Sequence, residues 1–357
     1  MFKHSLLAAS TSLLALHHAY AQNTAVQVQE GTDNEASALQ IWGTGNQATQ
    51  TQSGSRNQSD VTQVGANLTA TTQQTSVDNW TFVYQEGMNS TSVVSQLGAF
   101  NVATLYQDSD GYGHTAIVSQ EGNGHRAGLQ QYDGEGSWAT VYQHGARHGL
   151  IVSQTSDNNT VQSSQAGYDN RGLVVQWGHA TARVQQSGIA NDLRLVQSGD
   201  ALSSAEITQS GQANVADVDQ VGSPMGNSVR LSQRGTANDA LIHEHALGAW
   251  IDYTQDGTGN ELVADQGSAE GALTGSSIGD YNRVVVEQLG ENAYLNIQQD
   301  GANNLLTATQ TGFQQTATVS QIGSGNEALL IQQLPTAGAV ASITQNGAGN
   351  YTAVIQQ

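Results

Sequence analysis

Apolar and polar residues alternate along the chain in short blocks, and the blocks recur every 11 or 12 residues. Within residues 191–197, every second residue is Asn, Leu, Leu or Gln, while Asp192 and Arg194 lie between them. A period of two predicts a β-strand with one face turned inward. Gly199 follows two residues after the closing Gln, where a tight turn favours a residue without a Cβ. Each block therefore predicts one strand and one turn.

The same block can be followed along the rest of the chain and gives 30 units. A Gln closes 28 of them, and Glu244 and Ser277 take its place in the other two. In the fifth unit, we assign Gln73 as the closing residue. So regular a period indicates a repeat array rather than several ordinary domains.

The inward Asn and Gln residues occupy equivalent positions in successive units, so identical amides should stack on one another. Each amide can both donate and accept a hydrogen bond, and such ladders reinforce cross-β structure. We therefore predict a structural amide ladder that includes Asn34, Gln40, Asn101, Gln107, Asn170, Gln176, Asn191, Gln197, Asn214, Gln220, Asn282, Gln288, Asn304, Gln310, Asn326, Gln332, Asn350 and Gln356. The turns are predicted to depend on Gly31, Gly98, Gly188, Gly199, Gly211, Gly290, Gly301 and Gly323.

A single strand and turn bury no core alone, so the units must stack. The simplest closed coil pairs two units, which predicts an all-β fold, a two-sided parallel β-solenoid of about fifteen 22-residue coils with a cross-β character. A three-sided coil of about 33 residues is the alternative. The segment 267–280 has few inward apolar residues, so we predict a loosened coil there and a break between two stiffer halves.

The first 21 residues predict a secretory signal peptide. Lys3 supplies a basic start, and a mostly apolar run of 12 residues follows it. The A-Y-A sequence at 19–21 has the form of a cleavage site. The run is too short to span a bilayer. We therefore expect a mature chain of residues 22–357, a single repeat domain that is exported through the periplasm and lies outside the cell or on its surface.

The composition excludes several partners. Removing the signal peptide would leave nine Arg against 30 Asp and Glu, a formal charge of −21. Binding to nucleic acid through phosphates needs basic patches, so we expect no nucleic-acid partner. No later segment is apolar enough for membrane insertion. The chain has no Cys, so stability must come from stacking rather than from disulfides.

A few residues interrupt the repeat and are candidates for other roles. His114, His125 and His148 stand where Asn or Ser is usual. His125 and His148 should stack in neighbouring coils, either as ladder residues or as a metal site or pH switch. His243 and His245 flank Glu244 and form a second metal candidate, although a local kink at the buried carboxyl group is the simpler interpretation.

Outward tyrosines form another candidate surface. Tyr84 and Tyr106 lie two units apart, so their rings should stack side by side. They could bind a sugar or a second filament, or they could simply pack against each other.

The pattern N-x-A-x-V-x-Q-x-G, as in residues 214–222, resembles the curlin repeat of bacterial curli subunits. The resemblance covers essentially the whole chain after residue 21. It implies a secreted structural subunit of extracellular amyloid fibres that serve biofilm matrix, cell adhesion and aggregation. It also implies self-assembly, a related nucleator or major subunit as partner, and export through an outer-membrane pore.

Two features depart from typical curlins, which have only a handful of coils and a Gly-rich segment before the first repeat. This chain predicts about fifteen coils, and the repeat begins at Asn23, next to the predicted cleavage site. The alternative function is a monomeric secreted β-solenoid that acts as an adhesin or surface binder. The sequence has no G-x-S-x-G, Walker or H-E-x-x-H motif, so we expect neither enzymatic activity nor a cofactor.

Overall fold

The structure is a computed structural model that describes residues 22–109, 111–199, 202–221, 225–334 and 338–357. The signal peptide predicted at residues 1–21 lies outside the described residues. None of the described residues belongs to a helix that could cross a membrane. The chain divides into two compact units, which we call unit 1 (Met1–Tyr168) and unit 2 (Asp169–Gln357).

The described part of unit 1 contains thirteen strands, and almost every one carries the two-residue burial alternation that the sequence predicts. They are β1 (Thr24–Thr32), β2 (Glu35–Ile41), β3 (Gln47–Ser55), β4 (Gln58–Ala66), β5 (Thr69–Val77), β6 (Trp80–Met88), β7 (Thr91–Ala99), β8 (Val102–Ser109), β9 (Thr115–Asn123), β10 (Arg126–Tyr132), β11 (Trp138–Ala146), β12 (Gly149–Thr155) and β13 (Thr160–Tyr168).

Unit 2 contains the remaining strands, with the same alternation. They are β14 (Arg171–Trp177), β15 (Ala180–Ile189), β16 (Asp192–Ser198), β17 (Ser203–Gln212), β18 (Val215–Val221), β19 (Ser228–Thr236), β20 (Asp239–Glu244), β21 (Trp250–Thr258), β22 (Glu261–Gln266), β23 (Ala272–Asp280), β24 (Arg283–Gln288), β25 (Tyr294–Ala302), β26 (Leu305–Gln310), β27 (Thr316–Ser324), β28 (Glu327–Gln332), β29 (Val340–Ala348) and β30 (Tyr351–Gln356).

Within each unit, strands that are two places apart along the chain pair in parallel. In unit 2, for example, β15 pairs with β17 and β16 pairs with β18. Odd-numbered and even-numbered strands therefore form two separate sheets within each unit. Two strands and two turns complete one coil, so both units are two-sided parallel β-solenoids, and the three-sided alternative is wrong. Thirty strands correspond to about fifteen coils of 22 residues, as predicted.

The core of each coil is narrow and lies between the two sheets. Ala216 and Val218 are at most 1% exposed, and they lie between Asn214 and Gln220, which are also buried. Burying one aliphatic side chain of valine size stabilises a fold by about 1.5–3 kcal/mol. Repetition of small aliphatic residues across many coils therefore supplies a substantial part of the stability.

The assignment of Gln73 as the closing residue of the fifth unit is wrong. In β5 it is Gln74 that pairs in register with Gln52, and Gln74 is 1% exposed. The inward position at the start of the unit is taken by Leu68 rather than by Asn67, which adopts a left-handed turn conformation with φ of 57°. The spacing of the repeat could have identified Gln74 as the closing residue, because it lies 11 residues after one closing Gln and 11 before the next.

The segment 267–280 completes its coil. Residues Ala272–Asp280 form β23, which pairs in register with β21 and β25, and Leu273 and Ser277 are fully buried. Residues 267–271 form an isolated bridge from Ala269 to Glu291 rather than a strand. The backbone N–H groups of Gly267 and Ala269 nevertheless donate to the carbonyl oxygens of Gln288 and Gly290 in the next coil. Whether this coil is less stable than its neighbours stays a prediction.

Seven of the eight predicted turn glycines adopt φ between +109° and +125°, where L-residues are strained: Gly31, Gly98, Gly188, Gly199, Gly211, Gly301 and Gly323. A Cβ on Gly211 would also overlap the carbonyl oxygen of Gly235 in the next coil. Gly290 lies in a turn, but its φ is not in this region. It is required for a different reason, since a Cβ there would overlap the carbonyl oxygen of Gly312.

We predict that Gly145→Ala destabilises unit 1 while Gly149→Ala does not. Gly145 has φ of +118°, and a Cβ would overlap the carbonyl oxygen of Gly167. We expect a loss of at least about 1–2 kcal/mol in the free energy of unfolding. A Cβ added at Gly149 would meet no atom of the described residues within 4 Å. Denaturant unfolding followed by circular dichroism measures both, and equal effects would contradict the assignment.

Candidate assembly surface: amide ladders and strand edges

In unit 1, the closing glutamines form one hydrogen-bonded ladder in each sheet. Nε2 of each Gln donates to Oε1 of the Gln in the following coil. In the odd-numbered sheet these bonds are 2.7–2.9 Å long and join Gln29, Gln52, Gln74, Gln96, Gln120, Gln143 and Gln165. In the even-numbered sheet they are 2.8–2.9 Å long and join Gln40, Gln63, Gln85, Gln107, Gln131 and Gln154.

Unit 2 has the same two ladders, each with one interruption. The odd-numbered sheet joins Gln186, Gln209, Gln233 and Gln255, and then Gln299, Gln321 and Gln345, at 2.8–2.9 Å. The even-numbered sheet joins Gln176, Gln197 and Gln220 at 2.9 Å, and then Gln288, Gln310, Gln332 and Gln356 at 2.7 Å. The interruptions lie at Ser277 and at Glu244, the two units that lack a closing Gln. The second interruption extends to Gln266, whose amide has no partner among the described residues.

The asparagines form a second kind of ladder at the other end of the even-numbered strands. In unit 2, Nδ2 of each Asn donates to Oδ1 of the Asn in the preceding coil at 2.8–3.1 Å, without a break, through Asn170, Asn191, Asn214, Asn238, Asn260, Asn282, Asn304, Asn326 and Asn350. In unit 1 the same bonds, of 3.0–3.1 Å, join Asn34, Asn57, Asn79 and Asn101.

The two kinds of ladder therefore run in opposite directions. Glutamine amides donate toward the C-terminal coils and asparagine amides donate toward the N-terminal coils. Backbone carbonyl groups fix both directions. Nε2 of Gln63 also donates to the carbonyl oxygen of Gln47 at 3.0 Å, and Nδ2 of Asn191 donates to that of Ser187 at 3.0 Å. A flipped amide would place its oxygen against these carbonyl oxygens, which can only accept.

Residues 301–333 match a family model described as the curlin associated repeat. They contain strands β26, β27 and β28 and five residues of the ladders. This segment is similar in sequence to the curlin associated repeat. The resemblance seen in the sequence is confirmed there, and the same register of Asn and Gln extends through the other coils of unit 2. No curated protein matches the chain in sequence.

Three histidines in unit 1 stand where other repeats of the chain have their first Asn, and they take over its hydrogen bonds. In His125, Nδ1 accepts from the backbone N–H of His148 at 3.3 Å, and Nε2 lies 3.1 Å from the carbonyl oxygen of Glu121. The two imidazoles stack as predicted, with ring centroids 5.1 Å apart. His114 makes equivalent contacts to Ser137 and Asp108.

These contacts fix a neutral histidine tautomer, with the proton on Nε2 and the lone pair on Nδ1 directed at a backbone donor. Both ring nitrogens of His125 are therefore engaged within the ladder, and neither is directed at a shared metal position. Burial lowers the pKa of the His125 imidazole to about 4, and burial also lowers the pKa of His114. The geometry therefore favours the interpretation of these histidines as ladder residues.

Glu244 interrupts the glutamine ladder of the curlin-type coils in unit 2. It lies in register between Gln220 and Gln266 and is fully buried. Its Oε1 accepts a hydrogen bond from the backbone N–H of Ala246 at 3.3 Å, and the side chains of Gln220 and Asn227 also favour the ionised form. Its Oε2 and both amide atoms of Gln266 have no partner among the described residues. Burial raises the pKa of the Glu244 carboxyl group to about 8, so it is mostly neutral at pH 7.

The other interruption, at Ser277, is bridged by a buried tyrosine that sequence reasoning missed. Tyr253 is fully buried, and it lies in register with Gly275, whose missing side chain leaves room for the ring. Ser277 Oγ donates to Oε1 of Gln299 at 2.9 Å. The Tyr253 hydroxyl group lies 2.7 Å from Ser277 Oγ and therefore acts as the donor. The chain of donors thus keeps the direction of the glutamine ladder.

The outward tyrosines of unit 1 stack as predicted. Tyr84 and Tyr106 have ring centroids 4.8 Å apart, and Tyr132 extends the column at 4.9 Å. A hydrogen bond to Glu86, together with burial, raises the pKa of the Tyr84 phenol to about 12. Because the rings cover one another's faces, the column offers ring edges rather than a flat platform for a sugar.

The second metal candidate, the pair His243 and His245, lies on the outer face of the even-numbered sheet. His243 is in register with Asp219 and Asp265, and His245 Nδ1 lies 3.3 Å from Asp265 Oδ1. Within the described ranges, no group of three or more His, Cys, Asp or Glu side chains is arranged to hold a metal ion. The geometry gives His245 a contact with Asp265 rather than a ligand position that it shares with His243.

The outermost described coils have strand edges that face no other described strand. In unit 1, β1 and β2 are the first strands of the two sheets, and in unit 2, β29 and β30 are the last. We call the open edges of β1 and β2 the N-terminal face, and those of β29 and β30 the C-terminal face. Gln29 and Gln356 are only half-buried there, whereas Gln52 and Gln332 in the adjacent coils are at most 1% exposed.

We predict that His125→Asn makes unit 1 less sensitive to acid. The unfolded imidazole has a pKa near 6.5 and the folded one near 4, so the wild type loses stability as the pH falls through this window. Asparagine supplies the usual ladder contacts and does not titrate. Denaturant unfolding at several pH values between 7 and 4 would show the difference. His144→Asn, at a side chain that is 55% exposed, is the control and should change the pH profile little.

We predict that Glu244→Gln stabilises unit 2 at pH 7 and above. The folded pKa is raised, so the wild type loses stability as the pH rises from about 4.5 to about 8. Glutamine removes this titration and supplies an amide donor toward Gln266, a gain of about 1–3 kcal/mol. The gain should vanish near pH 4. Glu287→Gln, the same change at an exposed position of β24, is the control, and an equal gain there would refute the role of the ladder.

Proposed function

We propose that this protein is a structural subunit of extracellular curli-like amyloid fibres, which serve biofilm matrix, cell adhesion and aggregation. The curlin associated repeat at residues 301–333 supports this function. Fibres of this kind lie outside the cell, in agreement with the secretory signal predicted at residues 1–21. The subunit would be exported through an outer-membrane pore and would associate with other copies of itself and with a related nucleator or major subunit.

The observation that carries the proposal is the pair of open strand edges. An exposed strand edge is a template for another chain, and soluble proteins usually cover or charge it. Among the described residues, the inward residues of β30 are half-buried, because no further described strand covers them. The inward residues of β2 show the same intermediate exposure. Another copy of the chain would restore the burial that interior coils have.

The experiment is incubation of purified residues 22–357 near neutral pH, followed by negative-stain electron microscopy and thioflavin T fluorescence. We expect unbranched fibres and a fluorescence rise after a lag that shortens with added fibre seeds. A chain that stays monomeric for days, as judged by size-exclusion chromatography with light scattering, would overturn the proposal. That result would favour the alternative, a monomeric secreted β-solenoid that binds a surface.

A further inference from the structure

We propose that Tyr84, Tyr106 and Tyr132 form an oxidative modification site, at which a one-electron oxidant joins neighbouring rings of one chain into a dityrosine cross-link. The oxidant is hydrogen peroxide turned over by a haem peroxidase. The cross-link joins coils within unit 1, whether or not the chain assembles into fibres.

The three phenols are held against one another by the register of the even-numbered sheet. Tyr84 in β6 pairs in register with Tyr106 in β8, and their rings stack with centroids 4.8 Å apart and planes 14° from parallel. Tyr132, at the end of β10, lies against Tyr106 at 4.9 Å with its plane tilted by 38°. Phenoxyl radicals couple when their rings meet, so this fixed contact replaces the diffusional encounter that two separate phenols need.

The position of the rings gives them access to an oxidant and freedom to turn. All three lie on the outer face of the sheet and are half-buried. On the solvent side they can rotate from face-to-face contact to the edge-to-edge contact that a carbon–carbon bond requires. The backbone need not move far, since neighbouring strands lie only about 4.8 Å apart.

Tyr84 also has a proton acceptor in place. Its hydroxyl group donates to Oε2 of Glu86 at 2.9 Å. A phenol that loses an electron becomes a strong acid, and a carboxylate at hydrogen-bond distance can accept its proton in the same step. The hydrogen bond that raises the pKa of the resting phenol therefore makes its one-electron oxidation easier.

The reaction balances with one molecule of peroxide for each cross-link. Tyr84 and Tyr106 each lose one electron and the hydroxyl proton, which gives two phenoxyl radicals. A bond forms between one Cε of each ring, the hydrogen on each of these carbons is replaced on the phenol oxygen, and both rings regain their aromaticity. In total, two electrons and two protons leave the protein and reduce hydrogen peroxide to two molecules of water.

The cross-link would be a covalent connection between coils that the chain cannot make in another common way. The chain has no Cys, so no disulfide can join its coils under oxidising conditions. A bond between Tyr84 and Tyr106 would hold β6 to β8 even where denaturant breaks the amide ladder. The oxidised chain should therefore need more denaturant to unfold unit 1 than the untreated chain.

The experiment treats freshly purified, dilute chain of residues 22–357 with hydrogen peroxide and a haem peroxidase. An equal mixture of unlabelled chain and chain labelled with heavy nitrogen distinguishes links within one chain from links between chains. After proteolysis, mass spectrometry identifies the cross-linked peptides. We expect links of position 106 to position 84 or 132, with links within one chain at least tenfold more abundant than links between chains.

Tyr106→Phe is the decisive variant, because it removes the hydroxyl group of the middle ring and keeps the ring itself. We expect at least a tenfold loss of dityrosine. Tyr142→Phe is the matched control. The exposed Tyr142 also donates to a carboxylate, that of Glu121, at 3.3 Å, but it faces Ser119 and Ser164 in the adjacent coils. Its substitution should leave the yield unchanged.

Glu86→Gln tests the proton acceptor. The amide oxygen can still accept a hydrogen bond from Tyr84, but it is a far weaker base than a carboxylate. The link between Tyr84 and Tyr106 should form at least threefold more slowly, while the link between Tyr106 and Tyr132 should not slow. An unchanged rate for the first link would overturn the role of Glu86.

Three further results would overturn the proposal as a whole. They are cross-links that join other tyrosines as often as these, an equal loss of dityrosine in Tyr142→Phe and Tyr106→Phe, and links that form mostly between chains. The absence of dityrosine from the wild-type chain, under conditions that couple free tyrosine, would overturn it as well. None of these results bears on the proposed fibre function, which is judged by the assembly of chain that has not been oxidised.

Discussion

A side-chain amide buried in a dry interior needs partners for both its donors and its acceptor, and this need governs the structure. Each Gln finds its partner directly above and below only if successive coils stay in register. The register in turn fixes where extra residues can go. Insertions therefore fall in the turns, while the ladder of nine asparagines in unit 2 continues without a break. Apolar residues fill the space between the amides, but they would tolerate a shift that the amides would not.

Much of the fold follows from periodicity alone. The alternation of inward and outward residues, the pairing of every second strand, and the positions of Glu244 and Ser277 in the ladders can all be predicted from spacing. Prediction failed where polarity no longer distinguished the two faces. Around Gln73 and Gln74, consecutive Thr and Gln residues occupy both faces, so the pattern cannot say which Gln points inward. Pairing with the adjacent coils decides it.

Other features lie outside what a pattern can give. The direction of each ladder depends on which backbone carbonyl group faces each amide, and this is a property of the folded coil. Likewise, an aromatic residue at an inward position is expected to be too large for a core of Ala and Val. Tyr253 fits only because Gly275 and Ser277 lie beside it in the next coil, so its place is set by contacts between coils and not by its own repeat.

Tyr253, Gly275 and Ser277 also affect how a chain of near-identical coils folds with one strand register rather than several. Displacing one stretch of solenoid by a whole coil would preserve most amide contacts, because nearly every coil offers the same partners. Such slipped arrangements would be close in energy and slow to correct. Tyr253 breaks the degeneracy, since a slip by one coil would press its ring against the bulky Ile297 that follows Gly275. A single irregular coil can thus select the correct register during folding of an otherwise uniform solenoid.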